Sequence, residues 1–196
     1  MRVSPLGIFG AVLDEDQVFE CAWADAGLTH PHEVCRAASA LFASAIAFAI
    51  RNPLAKPEKV FSYTLELAQR QKTPLALTES LELAKTAAPD DFLSQQGWVL
   101  IAFQNAFYRL LQAESLKEGV IQTVRAGGDT DTNAAITGAL LGAVYGRDAV
   151  PLQWRQSVLS CRPLAGLPGV YRPRPAQFWP VDALELAECL LVASTS

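Results

Sequence analysis

The stretch RAGGDTDTNAAITGALLGAVYG, at residues 125–146, is the most informative part of the 196-residue chain. Two glycines lead into a turn rich in acids and hydroxyls. Small residues then stand at every fourth position: Ala134, Gly138, Gly142 and Gly146. That spacing places them on one face of a helix, where a neighbouring helix can pack closely. We therefore predict a helix over residues 129–145 that ends at Gly146, a residue typical of the position just after a helix.

The first turn of this helix has two possible interpretations. Asp129 is a suitable N-cap, and the helix dipole also favours Asp131 in the first turn. Capping needs only one acceptor, however, and two carboxylates and two hydroxyls crowd this turn. Oxygen groups of this kind are the ligands of hard divalent cations. An EF-hand loop is excluded, because its required glycine and glutamate are Ala134 and Leu140 here. Capping and metal binding both stay open on the residues alone.

The rest of the chain also predicts helices, and no segment shows the sustained alternation of a strand. Pro31 and Pro57 suit the first turns of two helices. The first of these runs to about Arg51 and is apolar on nearly every face, so we expect it at the centre of a bundle. Further helices are predicted over residues 77–88 and 92–113, from Ser115 onwards, and over 151–160 and 181–192. The proline-rich residues 163–180 are expected to be irregular. The sequence thus predicts a single all-α domain over residues 1–196.

Composition argues against several classes of protein. With 51% hydrophobic and 18% charged residues, the chain is not expected to be disordered. A net charge of −4 disfavours a nucleic-acid partner. The four cysteines form no C-x-x-C pair, so we expect reduced thiols and a cytoplasmic location. The longest apolar stretch, residues 37–50, is shorter than the about 20 residues that cross a bilayer. We expect neither a membrane partner nor a signal peptide.

Two further clusters have alternative interpretations. His30 and His32 flank Pro31, whose place at a helix start argues against a His-x-His metal pair; solvated polar groups and a ligand contact from one histidine both remain possible. Residues 147–174 contain five arginines and a single acid. This stretch is either a solvated face or a contact for phosphate or a partner.

Taken together, these motifs resemble the ADP-ribosylglycohydrolase family. The residues that carry the resemblance are the Gly-Gly-Asp-Thr-Asp-Thr run at 127–132 with its small-residue helix, Thr29-His30 before an alanine-rich helix, and the opening Met-Arg-Val-Ser-Pro-Leu. Gly146-Arg147, Pro151 and Trp154 match the stretch that follows the metal helix. The likeness covers almost the whole chain.

The resemblance implies a fold, an activity and a set of site residues. The fold is a compact orthogonal multi-helix bundle. The activity is hydrolysis, with two Mg or Mn ions, of the glycosidic bond between ADP-ribose and a protein side chain or small molecule. Asp129, Asp131 and Thr132 are implied as metal ligands, with Asp131 the better candidate to bridge both ions. His30 and Gly128 are implied to bind the substrate.

One departure from the family pattern affects the expected activity. The family's Gly-Asp-x-x-Gly segment, its first acidic ligands and its Gly-Asn-Gly loop would precede the match to Met1, so we expect this chain to lack the N-terminal part. No catalytic base is then expected within it, and the chain alone is expected to bind at most one ion, weakly. The alternative is a non-catalytic, degenerate relative that acts as a nucleotide- or partner-binding helical protein.

Overall fold

The computed structural model describes residues 1–193 and confirms the all-α prediction. These residues form ten α-helices and no strand. The helices are α1 (Ser4–Phe9), α2 (Glu15–Gly27), α3 (Glu33–Arg51), α4 (Pro57–Arg70), α5 (Leu75–Ala84), α6 (Val99–Gln112), α7 (Leu116–Arg125), α8 (Thr130–Tyr145), α9 (Leu152–Leu159) and α10 (Ala183–Ala193). The irregular segment predicted over residues 163–180 contains one short 3-10 turn, Ala176–Phe178.

Helix α3 lies at the centre of the bundle, as its apolar sequence predicts. It packs against α1, α2, α4, α6 and α8. Aromatic contacts extend the core outward: Phe48 of α3 stacks on Tyr63 of α4 with ring centroids 4.1 Å apart, and Phe61 of α4 meets Phe107 of α6 edge to face. With 19 residues, α3 is long and apolar enough to cross a membrane, but 67% of its most apolar window is buried inside the bundle. This burial is what a core helix shows.

The start of α3 differs from the prediction by two residues. Pro31 precedes the helix, and the N-cap is His32, whose Nδ1 accepts a hydrogen bond from the Val34 N–H at 3.3 Å. Histidine is not among the usual capping residues. The side chain of His32 also packs edge to face on Trp98, 5.6 Å between ring centroids, and this long-range contact fixes it beside the helix end.

Other helix boundaries also differ from the predicted ones, for local reasons. Helices α1 and α2 were not predicted, although Asp14 and Gln17 form a complete capping box at the start of α2. Helix α6 begins at Val99 instead of residue 92, because Asp91 ties the preceding loop. Its Oδ1 accepts hydrogen bonds from the N–H groups of Leu93 and Ser94 at 2.7 and 3.0 Å. The predicted 77–88 helix is α5, shifted toward the N-terminus.

Helix α8 packs closely against α7, but the small-residue face of α8 is not where the two approach most tightly. Its Gly138 faces Val120 at an ordinary van der Waals distance. The tightest point is Gly119 of α7, where a Cβ would lie 2.5 Å from Leu141 Cδ1. Beside this contact, Asn105 Nδ2 of α6 donates to the hydroxyls of Thr123 and Thr137 at 3.0 Å each. This buried network joins α6, α7 and α8, and holds the start of α8 on a rigid base.

Candidate functional site

Two glycines shape the turn that leads into α8. Gly127 and Gly128 have φ values of +86° and +69°, a region that residues with a side chain rarely adopt. A Cβ on Gly128 would lie 2.0 Å from the Phe92 carbonyl oxygen. Gly128 therefore lets the loop before α6 touch the turn before α8. Its predicted role in substrate binding stays a prediction, and it does not line the cleft described below.

Asp129 occupies the N-cap position of α8, but its side chain makes no capping hydrogen bond. The backbone carbonyl of Asp129 accepts the Asn133 N–H at 3.0 Å, as an N-cap carbonyl should. Of the two interpretations of this turn, capping by the Asp129 carboxylate is not what the structure shows. Its carboxyl group instead meets that of Asp131.

Asp131 is exposed in the first turn of α8. A hydrogen bond between its carboxyl group and that of Asp129, and then the backbone N–H of Thr132, lower the pKa of Asp131 from its ordinary value. The two carboxyl groups thus lie side by side at the positive end of a helix. This is an arrangement of oxygen atoms that a divalent cation can bridge or share.

A cleft of about 400 Å³ lies beside this turn. Asp129 and Thr132 line it from α8, and His30 lines it from the turn between α2 and α3. Residues 96–98 of the loop before α6 and residues 1–3 also line it. The structure therefore brings three of the five predicted site residues to one cleft. Asp131 does not line it but lies beside Asp129 at its edge.

His30 is exposed at the mouth of this cleft. Its Nδ1 lies 2.9 Å from Thr29 Oγ1, so the hydroxyl fixes the orientation of the ring. His32 points away to cap α3 and does not line the cleft. The two histidines thus have different environments, as the interpretation against a His-x-His pair expects.

Sequence reasoning missed an ion pair in the cleft wall. Arg2 Nη2 lies 2.9 Å from Asp25 Oδ2, and the same nitrogen approaches Thr29 Oγ1 at 3.4 Å. The pair links the N-terminal segment to the turn that carries His30. Only the resemblance of the opening Met-Arg-Val segment hinted that Arg2 belongs near the site, and no local pattern indicated Asp25.

Asn133 is a second residue that was not singled out. It lines the cleft from the second turn of α8, is 1% exposed, and its Nδ2 has no hydrogen-bond partner within the described residues. An unpaired buried amide is costly, and this one lies directly behind Asp129. It makes the cleft floor polar.

The donor set fits one cation better than two. Within residues 1–193, no group of three or more histidine, cysteine, aspartate or glutamate side chains is placed to hold a metal ion. Asp129, Asp131 and Thr132 offer two carboxylates and one hydroxyl. An octahedral Mg site often uses one or two carboxylates and several waters, so these three side chains have the chemistry of part of one such shell.

Comparison with known proteins identifies the family of this chain. Residues 1–176 match the ADP-ribosylglycohydrolase family. ADP-ribosylhydrolase ARH3 of Homo sapiens is 51% identical over 43 residues, which are 22% of this chain and 12% of that protein. The ADP-ribosyl-dinitrogen reductase glycohydrolase of Rhodospirillum rubrum is 37% identical over 57 residues, which are 29% of this chain and 19% of that protein.

A longer alignment exists with ADP-ribosylhydrolase ARH3 of Gallus gallus, 32% identical over 95 residues, or 41% of this chain and 26% of that protein. The chain thus aligns with about a quarter or less of the length of these curated relatives. The family match covers nine of the ten described α-helices, all except α10. The chain belongs to the ADP-ribosylglycohydrolase family.

Proposed function

We propose that this chain provides the substrate cleft and one half of the metal site of a hydrolase that cleaves the glycosidic bond between ADP-ribose and a protein side chain or small molecule. The observation that carries the proposal is the convergence of Asp129, Thr132 and His30 on one cleft. Membership of the family supports the same reaction class. Its partner would be an ADP-ribosylated protein or small molecule.

Asp129, Asp131 and Thr132 would hold one Mg or Mn ion through oxygen atoms, the ligands that both ions prefer. When bound, the ion would supply positive charge that orients the ribose hydroxyls and polarises the anomeric centre. Asp129 and Asp131 would be committed to the ion as carboxylates.

The chain's own residues would position the substrate. His30, held by Thr29, would lie beside the ADP-ribose and contribute a ring nitrogen as a hydrogen-bonding group. The Arg2–Asp25 pair would hold the N-terminal segment against the turn that carries His30. The cleft volume of about 400 Å³ suits part of a nucleotide. The other carboxylate that lines the cleft, Asp25, is paired with Arg2, so no described acid of the cleft would be free to act as the general base that activates water.

Two further properties belong to the proposal. A single ion held by three protein oxygens would bind weakly, because water must complete its coordination shell. The cytoplasm would be the location, since Cys21, Cys35, Cys161 and Cys189 are all free thiols.

Calorimetric titration of the purified chain with ADP-ribose, with and without Mn, tests the proposal. We expect saturable binding that depends on Mn, and that is lost in Asp129→Asn and Asp131→Ala. Glu66→Gln removes an exposed acid of α4 that lines neither this cleft nor another described one, and should bind as the wild type does. Binding of ADP-ribose that is unaffected by Mn and by both site variants would instead support the non-catalytic, nucleotide-binding alternative.

A further inference from the structure

A second open cleft, beside α9, is lined by three arginines. Its volume is about 500 Å³. Arg147, Arg155 and Arg162 line it together with two polar and two apolar residues: Gln156, Ser160, Leu152 and Leu159. It shares no lining residue with the cleft beside Asp129. We call it the arginine cleft.

Most of the positive charge of this cleft is not balanced by acids. Asp148 is the single acid within residues 147–174, and its Oδ1 pairs with Arg155 Nη1 at 2.9 Å. Arg162 Nη1 donates only to a neutral group, the Ser160 carbonyl, at 3.0 Å. Among the described residues, neither Arg147 nor Arg162 forms an ion pair. Two guanidinium charges of the cleft therefore face solvent without an acidic partner.

Arg155 is held in place before any ligand arrives. Its side chain is 23% exposed, whereas that of Asp148 is 95% exposed. The carboxylate therefore reaches the guanidinium from the solvent side and shows where an anionic oxygen can approach it. An exposed ion pair of this kind contributes little to stability, so a ligand with more charge can replace Asp148 at small cost.

The positive surface continues beyond the arginine cleft. Arg162 also lines an adjoining open cleft of about 500 Å³, together with Arg172 and Tyr171. The Tyr171 ring is 95% exposed, which is unusual for a large aromatic side chain. An exposed aromatic ring among arginines can stack on a planar group that is attached to the anion.

We propose that the arginine cleft binds a phosphate-bearing ligand, with Arg147, Arg155 and Arg162 holding the phosphate oxygens. The planar guanidinium group pairs with phosphate through two parallel hydrogen bonds. Three such groups call for a ligand with at least two negative charges. A free diphosphate and the phosphates of a nucleotide share this chemistry. The proposal does not depend on the reaction at the other cleft.

Calorimetric titration of the full chain with inorganic pyrophosphate at low ionic strength tests this site. We expect saturable binding, weakened at least about tenfold in both Arg147→Ala and Arg162→Ala, because each loses a charge-assisted pair. Asp148→Asn should bind pyrophosphate more tightly, since the competing carboxylate is gone. That gain cannot arise from misfolding. Arg174→Ala is the matched control, because Arg174 lies in the same stretch and lines neither cleft.

Two results would overturn the proposal: no binding of pyrophosphate, or an equal loss in Arg174→Ala and the two cleft variants, which would indicate only general attraction to a positive surface. Titration with ADP, which carries the same diphosphate on a nucleoside, then identifies the source of the phosphate. Tighter binding than pyrophosphate, weakened by Tyr171→Ala, would indicate a nucleotide. Equal binding would indicate a free diphosphate.

Discussion

Replacing Gly128 by alanine should destabilise the chain strongly, because two separate effects act at this position. The backbone φ of +69° is strained for any residue with a side chain. The new Cβ would also lie 2.0 Å from the Phe92 oxygen and 2.9 Å from its carbonyl carbon. These are backbone atoms and cannot rotate away. The Phe92 side chain is 7% exposed, so the loop that carries it is anchored as well.

The neighbouring glycine separates the two effects. Gly127 has a φ of +86°, but a Cβ there would meet only Leu93 Cδ2, at 3.7 Å, an ordinary contact. Gly127→Ala should therefore cost about 1 kcal/mol, from backbone strain alone. Gly128→Ala adds an overpacking cost of about 1–3 kcal/mol, for a total of about 2–4 kcal/mol. At about 2–4 °C per kcal/mol for a domain of this size, the melting temperature should fall by roughly 4–16 °C.

Urea denaturation followed by circular dichroism measures both variants in the same way. The free energy of unfolding should fall clearly more in Gly128→Ala than in Gly127→Ala. Equal losses in the two variants would refute the argument from the close approach of Phe92, and would leave only backbone strain. A loss in neither would show that this turn is not held in the described conformation.

Three further predictions concern other parts of the fold. The Asp91 carboxylate accepts hydrogen bonds from Ser94 and from backbone N–H groups, and these bonds lower its pKa below the usual 3.8. The stability that they contribute is present above pH 3.8 and is lost as the pH falls through the lower pKa of the folded state. The melting temperature should be highest for the wild type, lower for Asp91→Asn and lowest for Asp91→Ala. Burial raises the pKa of Tyr63 to about 12. The stability that the neutral Tyr63 contributes is therefore complete below about pH 10 and is lost as the pH rises through 12. In thermal melts at alkaline pH, the melting temperature should fall less for Tyr63→Phe than for the wild type. Gly119→Ala should lower the free energy of unfolding by about 1 kcal/mol, because overpacking against Leu141 outweighs the gain in helix propensity. In a Leu141→Ala background the same change should raise the free energy of unfolding. A double-mutant cycle that shows no coupling between the two positions would exclude the contact.

The sequence predicted the parts of the fold that depend on local signals. The helix after Asp129 and its end at Gly146, with a φ of +78°, follow from caps and small-residue spacing. The burial of α3 follows from its apolar faces. The predicted start of α6 was wrong. Phe92 and Leu93 are apolar and extend the helical pattern of the sequence, but the loop that contains them forms its backbone hydrogen bonds with Asp91 instead.

The site could be predicted only in part, for the same reason. Acids beside two glycines indicated the metal turn, and the resemblance indicated His30. Gly128 is required because the backbone of Phe92 lies against it, and Arg2 forms its ion pair with Asp25. In both cases the two residues are distant in sequence. Contacts of this kind leave no local periodicity. The neighbourhood of Asn133 also depends on how three helices meet, which spacing alone does not give.

Calorimetric titration of the 196-residue chain with Mn tests most directly whether this chain provides only part of the metal site. Two carboxylates and one hydroxyl, with no group of three or more histidine, cysteine, aspartate or glutamate side chains placed to hold a metal in residues 1–193, should hold at most one divalent ion, and weakly. The same samples, incubated with an ADP-ribosylated peptide, should release no ADP-ribose. Asp131→Ala should abolish the single weak site, and Arg174→Ala should leave it unchanged. Two tight sites per chain, or measurable release of ADP-ribose, would contradict the proposal of a partial metal site and show that these residues suffice for the whole reaction.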